Sequence, residues 1–371
     1  MTENSFFNND YESSRDHFRN QLSSIAKIRQ DAYLDTYYIG DREDDNSVDI
    51  LASDASSRKT LLTITAGEHG IEGYTGSALL SMFIENFLPH LNPETTGLRL
   101  VHSVNPWGMR HCRRVTENNV DMNRNYLLDF SQLRDRADNE YEKHKSLFNP
   151  EAPIQNLNKQ NSFLLSYLQK NLTEKELERL KNTPGGQYKY PQGVFYGGSV
   201  MEETTRQLAD RYKEWAESYD HIVHIDLHTG GGPMNELTMI FMDGDSRSAS
   251  ELQKSLGRKN VSKTNNEDVS GDSVEFLQKM IQTVYPEKRS VFALFEFGTI
   301  EESTDGYLFC AKAMINENQL HFEGARFSED EMSVRNDFTR LFNPADKTWQ
   351  SSIFKEAEKG FRSLLKSENL I

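Results

Sequence analysis

The chain of 371 residues is 36% hydrophobic, enough for a large core; a length prior of about two domains competes with α/β folds that run longer as one. Its formal charge of −15, from 42 Lys+Arg against 57 Asp+Glu, argues against a nucleic-acid partner, which needs a basic face. Cys112 and Cys310, the two cysteines, make neither a disulfide framework nor a zinc ribbon and are expected to be buried free thiols.

The opening residues Met1–Asp10 lack the basic start and apolar run of a signal peptide. No stretch approaches the roughly 20 apolar residues of a membrane helix. A cytoplasmic protein with no membrane partner is expected.

Phe18, Leu22, Ile25 and Ile28 form one apolar stripe, which predicts a helix over about 12–32. Residues 33–39 and 47–52 read as strands joined by the polar turn Gly40–Asn46, whose acidic run 41–45 is a solvated loop. A third strand, 61–65, leads into Ala66-Gly67-Glu68-His69-Gly70-Ile71-Glu72-Gly73, and a helix follows from Ser77. Residues 98–104 make the next strand, ended by Asn105-Pro106-Trp107-Gly108. Then come Arg110-His111-Cys112-Arg113-Arg114 and Val120-Asp121-Met122-Asn123-Arg124-Asn125.

Residues 129–190 are polar and mostly helical in pattern, an excursion in which 163–168 could pack one helix on the core. The aromatic, turn-rich stretches 184–188 and 191–198 suit a loop lining a cleft. A helix over about 201–218 precedes the strand 221–227, which ends at His228-Thr229-Gly230. A strand at 237–242 and helices at 251–256 and 273–283 follow, then the apolar strand 290–297. Three helical stretches, near 304–319, 329–342 and 350–366, close the chain. Near-continuous apolar strands interleaved with helices predict a three-layer α/β/α sandwich with a mixed, largely parallel sheet, read as one domain over 1–371.

In such a sheet the carboxyl ends of neighbouring strands face one crevice. His69 and Glu72 follow one strand, His228 ends a second and Glu296 nears the end of a third. Two His and one carboxylate are a known catalytic zinc set that leaves a position for water. A further carboxylate can serve as general base, and the apolar flanks of Glu296 would raise its pKa toward working pH. His224 shares the face of His228 by strand alternation, but the Thr-Gly after His228 favours the latter as ligand. Asp226 reads equally as a partner of a ligand His or as a buried acceptor. His102 and His111 read as structural or exposed residues. Arg113, Arg114 and Arg124 pass the same strand ends, and arginines there can stabilise an oxyanion or grip a carboxylate.

The motifs His69-Gly70-Ile71-Glu72, Asn105-Pro106-x-Gly108, Val120–Asn125, Asp226-Leu227-His228 and Phe295-Glu296 come in the order of carboxypeptidase A-like zinc peptidases. With the 193–198 loop, the chain resembles a mostly bacterial branch of that family known only as a domain of unknown function. The resemblance spans about 10–365 and implies one zinc held by His69, Glu72 and His228, with Glu296 as base. It implies that Asn123 and Arg124 hold the substrate carboxylate and that Arg114, or Arg113, faces the oxyanion. The family's substrate-covering tyrosine finds no match, since Tyr285 is the only tyrosine between His228 and Glu296.

The reading is a zinc hydrolase cleaving an amide bond next to a free carboxylate, foremost a carboxypeptidase on short peptides or peptide-like metabolites. The alternatives are an N-acyl amino acid amidohydrolase of the aspartoacylase and succinylglutamate desuccinylase type, and a catalytically idle zinc-binding protein. The expected partner is a small-molecule or peptide substrate with a free carboxylate.

Overall fold

A computed structural model describes residues 6–131, 133, 139–177, 186–264 and 271–371. One eight-stranded sheet organises them: β1 (Tyr33–Tyr38), β2 (Ser47–Ser53), β3 (Thr60–Ala66), β4 (Thr96–His102), β5 (His221–Gly230), β6 (Leu237–Phe241), β7 (Val261–Lys263) and β8 (Arg289–Gly298). Their order is β1-β2-β4-β3-β5-β8-β6-β7. β4, β3, β5 and β8 run parallel; β1, β2 and β6 are antiparallel to their neighbours towards the centre. The mixed, largely parallel sheet is covered by helices on both faces, as the apolar strands lead one to expect.

Alternation along the central strands sorts their side chains. Leu62, Ile64, Val223, Ile225, Ala293 and Phe295 share one core with α3 (Gly73–Asn86) and α13 (Lys347–Ser367). Ile222, Phe292 and Leu294 face the other way, into a core with α8 (Glu203–Glu217) and α10 (Ser273–Val284). His224, Asp226, His228 and Glu296 fall on that second face. At the carboxyl end of the sheet it changes from apolar packing to chemistry.

The predicted helix over 12–32 is two: α1 (Tyr11–Asn20) and α2 (Leu22–Ala26). Phe18 and Ile25 are buried, whereas Ile28 is 37% exposed. The chain leaves the helix because buried Arg29 reaches the Thr96 carbonyl at 2.6 Å and the Ser53 hydroxyl at 3.1 Å. α4 (Pro106–Arg110) follows β4. In the excursion, α5 (Asn139–Lys143), α6 (Lys145–Phe148) and α7 (Leu157–Asn171) are described. Leu164 and Leu168 pack with Tyr307, Leu308 and Ile315 of α11 (Thr304–Glu323), a separate cluster from the sheet's cores, and Phe163 points outward. α9 (Ala249–Leu256) and α12 (Ser328–Phe342) complete the helices named here. Both thiols are free as expected, but Cys112 is exposed, at a left-handed φ of 52° just past α4; Cys310 is buried. Among the described residues no helix is long and apolar enough to cross a membrane.

Candidate metal centre

β3 ends at Ala66, and the chain turns through Gly67 at φ +74°, where a Cβ would stand 2.2 Å from the Ser103 hydroxyl oxygen. A 3-10 turn, Gly70–Glu72, follows immediately. Gly70 packs on α4 so closely that a Cβ would meet the Gly108 carbonyl carbon at 2.1 Å. This turn holds His69 and Glu72 just beyond the strand. β5 pairs Leu227 with Ala66 and runs on past the end of β3, so His228 arrives beside them. β8 pairs Glu296 directly with His228. Registers of three parallel strands thus bring together four residues from three distant stretches.

His69, Glu72 and His228 form a compact triangle, each no more than 3% exposed. Nδ1 of His69 lies 2.9 Å from Oε1 of Glu72 and 3.3 Å from Nδ1 of His228; the latter lies 3.4 Å from Oε2 of Glu72. Donors at roughly 2.0–2.2 Å from a tetrahedral zinc stand about 3.3–3.6 Å apart, so these residues fit such an ion. The far nitrogens are taken: Nε2 of His69 lies 3.2 Å from Asp121 Oδ1, and Nε2 of His228 lies 2.7 Å from Asp226 Oδ2. Carboxylates there keep the Nε2 protons, so in the neutral rings both Nδ1 lone pairs point into the triangle. Two lone pairs facing each other repel unless a cation or a proton lies between them.

Charge argues the same way. Burial opposes charge on His228, but Asp226, Glu68 and Glu72 outweigh it and raise its pKa well above the usual value. Burial and Arg114 oppose charge on His69, yet Glu72 and Asp121 raise it too. Glu72 goes the other way: burial would raise it, but the two histidines hold it down to about 2. Burial pushes Glu68 up to about 7. Burial, then Glu72, raises Glu296, whose Oε1 accepts the Gly231 N–H at 2.6 Å. Gly231 leaves room for that carboxylate, since a Cβ would lie 3.1 Å from its Cδ. A second triad able to hold a cation, Glu68, Asp226 and His228, uses the Nε2 side of the same imidazole.

The arginines separate. Arg114 pairs with Asp121 Oδ2, so one carboxylate links it to His69. Burial would raise the pKa of Asp121, but Arg114 and His69 hold it well below the usual range. Arg113, weighed as an alternative, turns to α11, where Glu317 receives its Nε at 2.7 Å. Asn123 Oδ1 accepts the Ser273 N–H at 2.9 Å; Asn123 is buried, as is Arg124. Of the stretches 184–188 and 191–198, expected to line a cleft, residues 184 and 185 lie outside the described residues, and the rest buttresses this segment: Asp121 N–H donates to Tyr196 O at 2.7 Å and Asn125 Nδ2 to Gly197 O at 2.9 Å. His224 contacts the Tyr212 hydroxyl and packs 5.1 Å from the Phe292 ring, within the core. Buried His102 bonds Ser14 at 2.9 Å, and exposed His111 lies tilted against Trp107, ring centroids 4.4 Å apart. Tyr285 sits at the far end of α10, its hydroxyl on the Lys213 carbonyl at 3.2 Å. Sequence reasoning gave no role to Asp121 or Glu68, although the acid next to His69 and the acid before the Asn–Arg pair were both signals.

Against family models, residues 7–356 match the family described as "Protein of unknown function (DUF2817)". No curated protein matches. The chain is similar to bovine thrombin-activatable fibrinolysis inhibitor in complex with tick carboxypeptidase inhibitor, at 12% identity over 88% of this chain and 98% of that one, TM-score 0.46. It is similar to carboxypeptidase A of Helicoverpa armigera at 13% identity over 90% and 73%, TM-score 0.46. A Shewanella amazonensis SB2B protein assigned to the succinylglutamate desuccinylase/aspartoacylase family is similar at 18% identity over 78% and 72%, TM-score 0.39.

Proposed function

The chain belongs to the DUF2817 family, and for it we propose a zinc-dependent hydrolase that cleaves an amide bond next to a free carboxylate, foremost a carboxypeptidase on short peptides or peptide-like metabolites. The observation that carries this reading is the pair of Nδ1 atoms 3.3 Å apart beside the Glu72 carboxylate, with both Nε2 atoms facing carboxylates. His69, Glu72 and His228 would hold the metal. Bound there, zinc supplies a Lewis acid that eases deprotonation of an attacking water and polarises the scissile carbonyl.

The chain's own groups do the rest. Glu296, with a raised pKa and one oxygen on the Gly231 N–H, takes the proton from water and later gives it to the leaving amine. Arg114, held through Asp121, faces the charge that develops on the carbonyl oxygen. Asn123 and Arg124 hold the substrate carboxylate. The Asn123 carbonyl is committed to α10, which leaves its amide Nδ2 as the donor for substrate. Arg124 adds a planar fork suited to two charge-assisted bonds.

The test is a product screen of zinc-loaded protein over short peptides and N-acyl amino acids, each as free acid and as amide. Release of a C-terminal residue from free-acid peptides supports the first reading. Turnover of N-acyl amino acids alone would move the assignment to the amidohydrolase. Equal turnover of acids and amides would exclude both.

A further inference from the structure

One hydrogen-bonded path in this site has no part in the chemistry above. Glu68 is 2% exposed, and its Oε2 receives the Ser273 hydroxyl at 2.8 Å while lying 3.4 Å from His228 Nε2. Ser273 opens α10, and both its N–H, at 2.9 Å, and its hydroxyl oxygen, at 3.3 Å, meet Asn123 Oδ1. The residues just before it sit on the same segment: the Gly271 carbonyl accepts the Tyr126 N–H at 3.2 Å, and a Cβ on Gly271 would stand 2.3 Å from the Arg124 carbonyl oxygen. The start of α10 therefore touches the Asn123–Tyr126 stretch on one side and, through Glu68, a triangle histidine on the other.

Neither element needs this contact for itself. Asp226 already fixes the ring of His228 at 2.7 Å. Asp272 already caps α10, its Oδ1 accepting the Glu275 N–H at 2.8 Å. Burying a further carboxylate is unfavourable unless it serves a partner. What the Glu68–Ser273 bond adds is a tie between the two halves of the site. We propose that Glu68 and Ser273 are positioning residues that register the Asn123–Arg124 segment against His228. A substrate held there by its carboxylate would then present its amide bond at a fixed distance from the triangle. This rests on the reading of Asn123 and Arg124 as the carboxylate pair.

The experiment uses full-length protein and four variants: Ser273→Ala, Glu68→Ala, the double variant and Glu68→Gln. For each, zinc affinity is measured by chelator competition, and kcat and KM are measured for one acid and amide substrate pair. Ser273→Ala is expected to keep zinc affinity within about twofold yet cut the acid-over-amide preference about fivefold to tenfold, the share of one hydrogen bond, mostly in kcat. Glu68→Ala should lose the same preference, the double variant no more than either single one, and Glu68→Gln, which can still accept from Ser273, should recover most of it. A preference that survives Ser273→Ala, or losses that multiply in the double variant, would overturn the link alone. Zinc affinity falling in Ser273→Ala as far as turnover would overturn it as well, since the residue would then serve only the metal. A wild-type enzyme indifferent to the carboxylate would overturn the functional reading and the link with it.

Discussion

β5 carries a histidine at each end, and the two ends are electrostatic opposites. At the start, His221 lies 3.6 Å from Glu368, and that one buried acid also receives Arg247 at 2.9 Å and Arg289 at 2.6 Å. Arg247 also pairs with Asp245 at 2.7 Å, so two acids there are matched by two arginines; burial, then Arg289 and Arg247, push His221 down to about 4. At the other end, Glu68, Glu72, Asp121, Asp226 and Glu296 gather round His69 and His228, with Arg114 at the margin, and both histidines are pushed up. The first cluster ties the end of α13 to the sheet with its own charges. The second is acid-rich and aims two ring nitrogens at each other. The two ends share strands, but the second is the more deeply buried, and the surplus of acid marks it as the end that calls for a cation.

The widest gap between the two ends should appear in turnover. Glu296→Gln keeps the shape and removes the proposed base. Zinc content should stay near wild type while kcat falls by about two to four powers of ten, the usual share of general acid–base catalysis. Unchanged kcat on a confirmed substrate would remove Glu296 from the chemistry.

The adjacent arginines sharpen the contrast between a working and a structural charge. Arg114→Ala should lower kcat about a hundredfold or more, as removal of an oxyanion donor does, with a small change in melting temperature. Arg113→Ala should do the reverse, stranding Glu317 and costing on the order of 3 kcal/mol of stability, read by denaturant unfolding. Interchanged outcomes would interchange the roles. Arg124→Ala should slow the free acid about one to two powers of ten more than the amide, since charge-assisted bonds are lost only with the acid. Equal slowing of both would remove Arg124 from carboxylate binding.

The smallest effect concerns the closed end and pH. His221 titrates near 6.5 when unfolded and near 4 when folded, so between those values the unfolded chain binds more protons. Its contribution is present above pH 6.5 and is lost as pH falls toward 4. His221→Gln should flatten the fall in melting temperature across that window, and an unchanged slope would mean that other groups set it.

Much of this was legible in the sequence. β3, β4, β5 and β8 are runs buried on both faces, so apolar content marked them, and a Gly-rich turn after one of them marked where His69 and Glu72 sit. β7, at three residues, is too short to announce itself. Which of Arg113 and Arg114 turns toward His69 was not readable, because Glu317, which takes Arg113, comes from α11, 204 positions away. Glu68 and Asp121 escaped for a like reason: Glu68 meets Ser273, 205 positions on at the start of α10, and Asp121 meets His69 across 52 positions. The early end of the first helical stretch goes with Arg29, whose partners lie on β2 and β4.

The central claim is that the acid-rich end holds one zinc on His69, Glu72 and His228. The measurement is zinc stoichiometry, by elemental analysis after dialysis, of wild type, His228→Ala and His221→Ala. The account expects one zinc per chain in wild type and in His221→Ala, and severe loss in His228→Ala, because two remaining ligands bind poorly. Full zinc retention in His228→Ala, or a wild-type protein that takes up none, would contradict it.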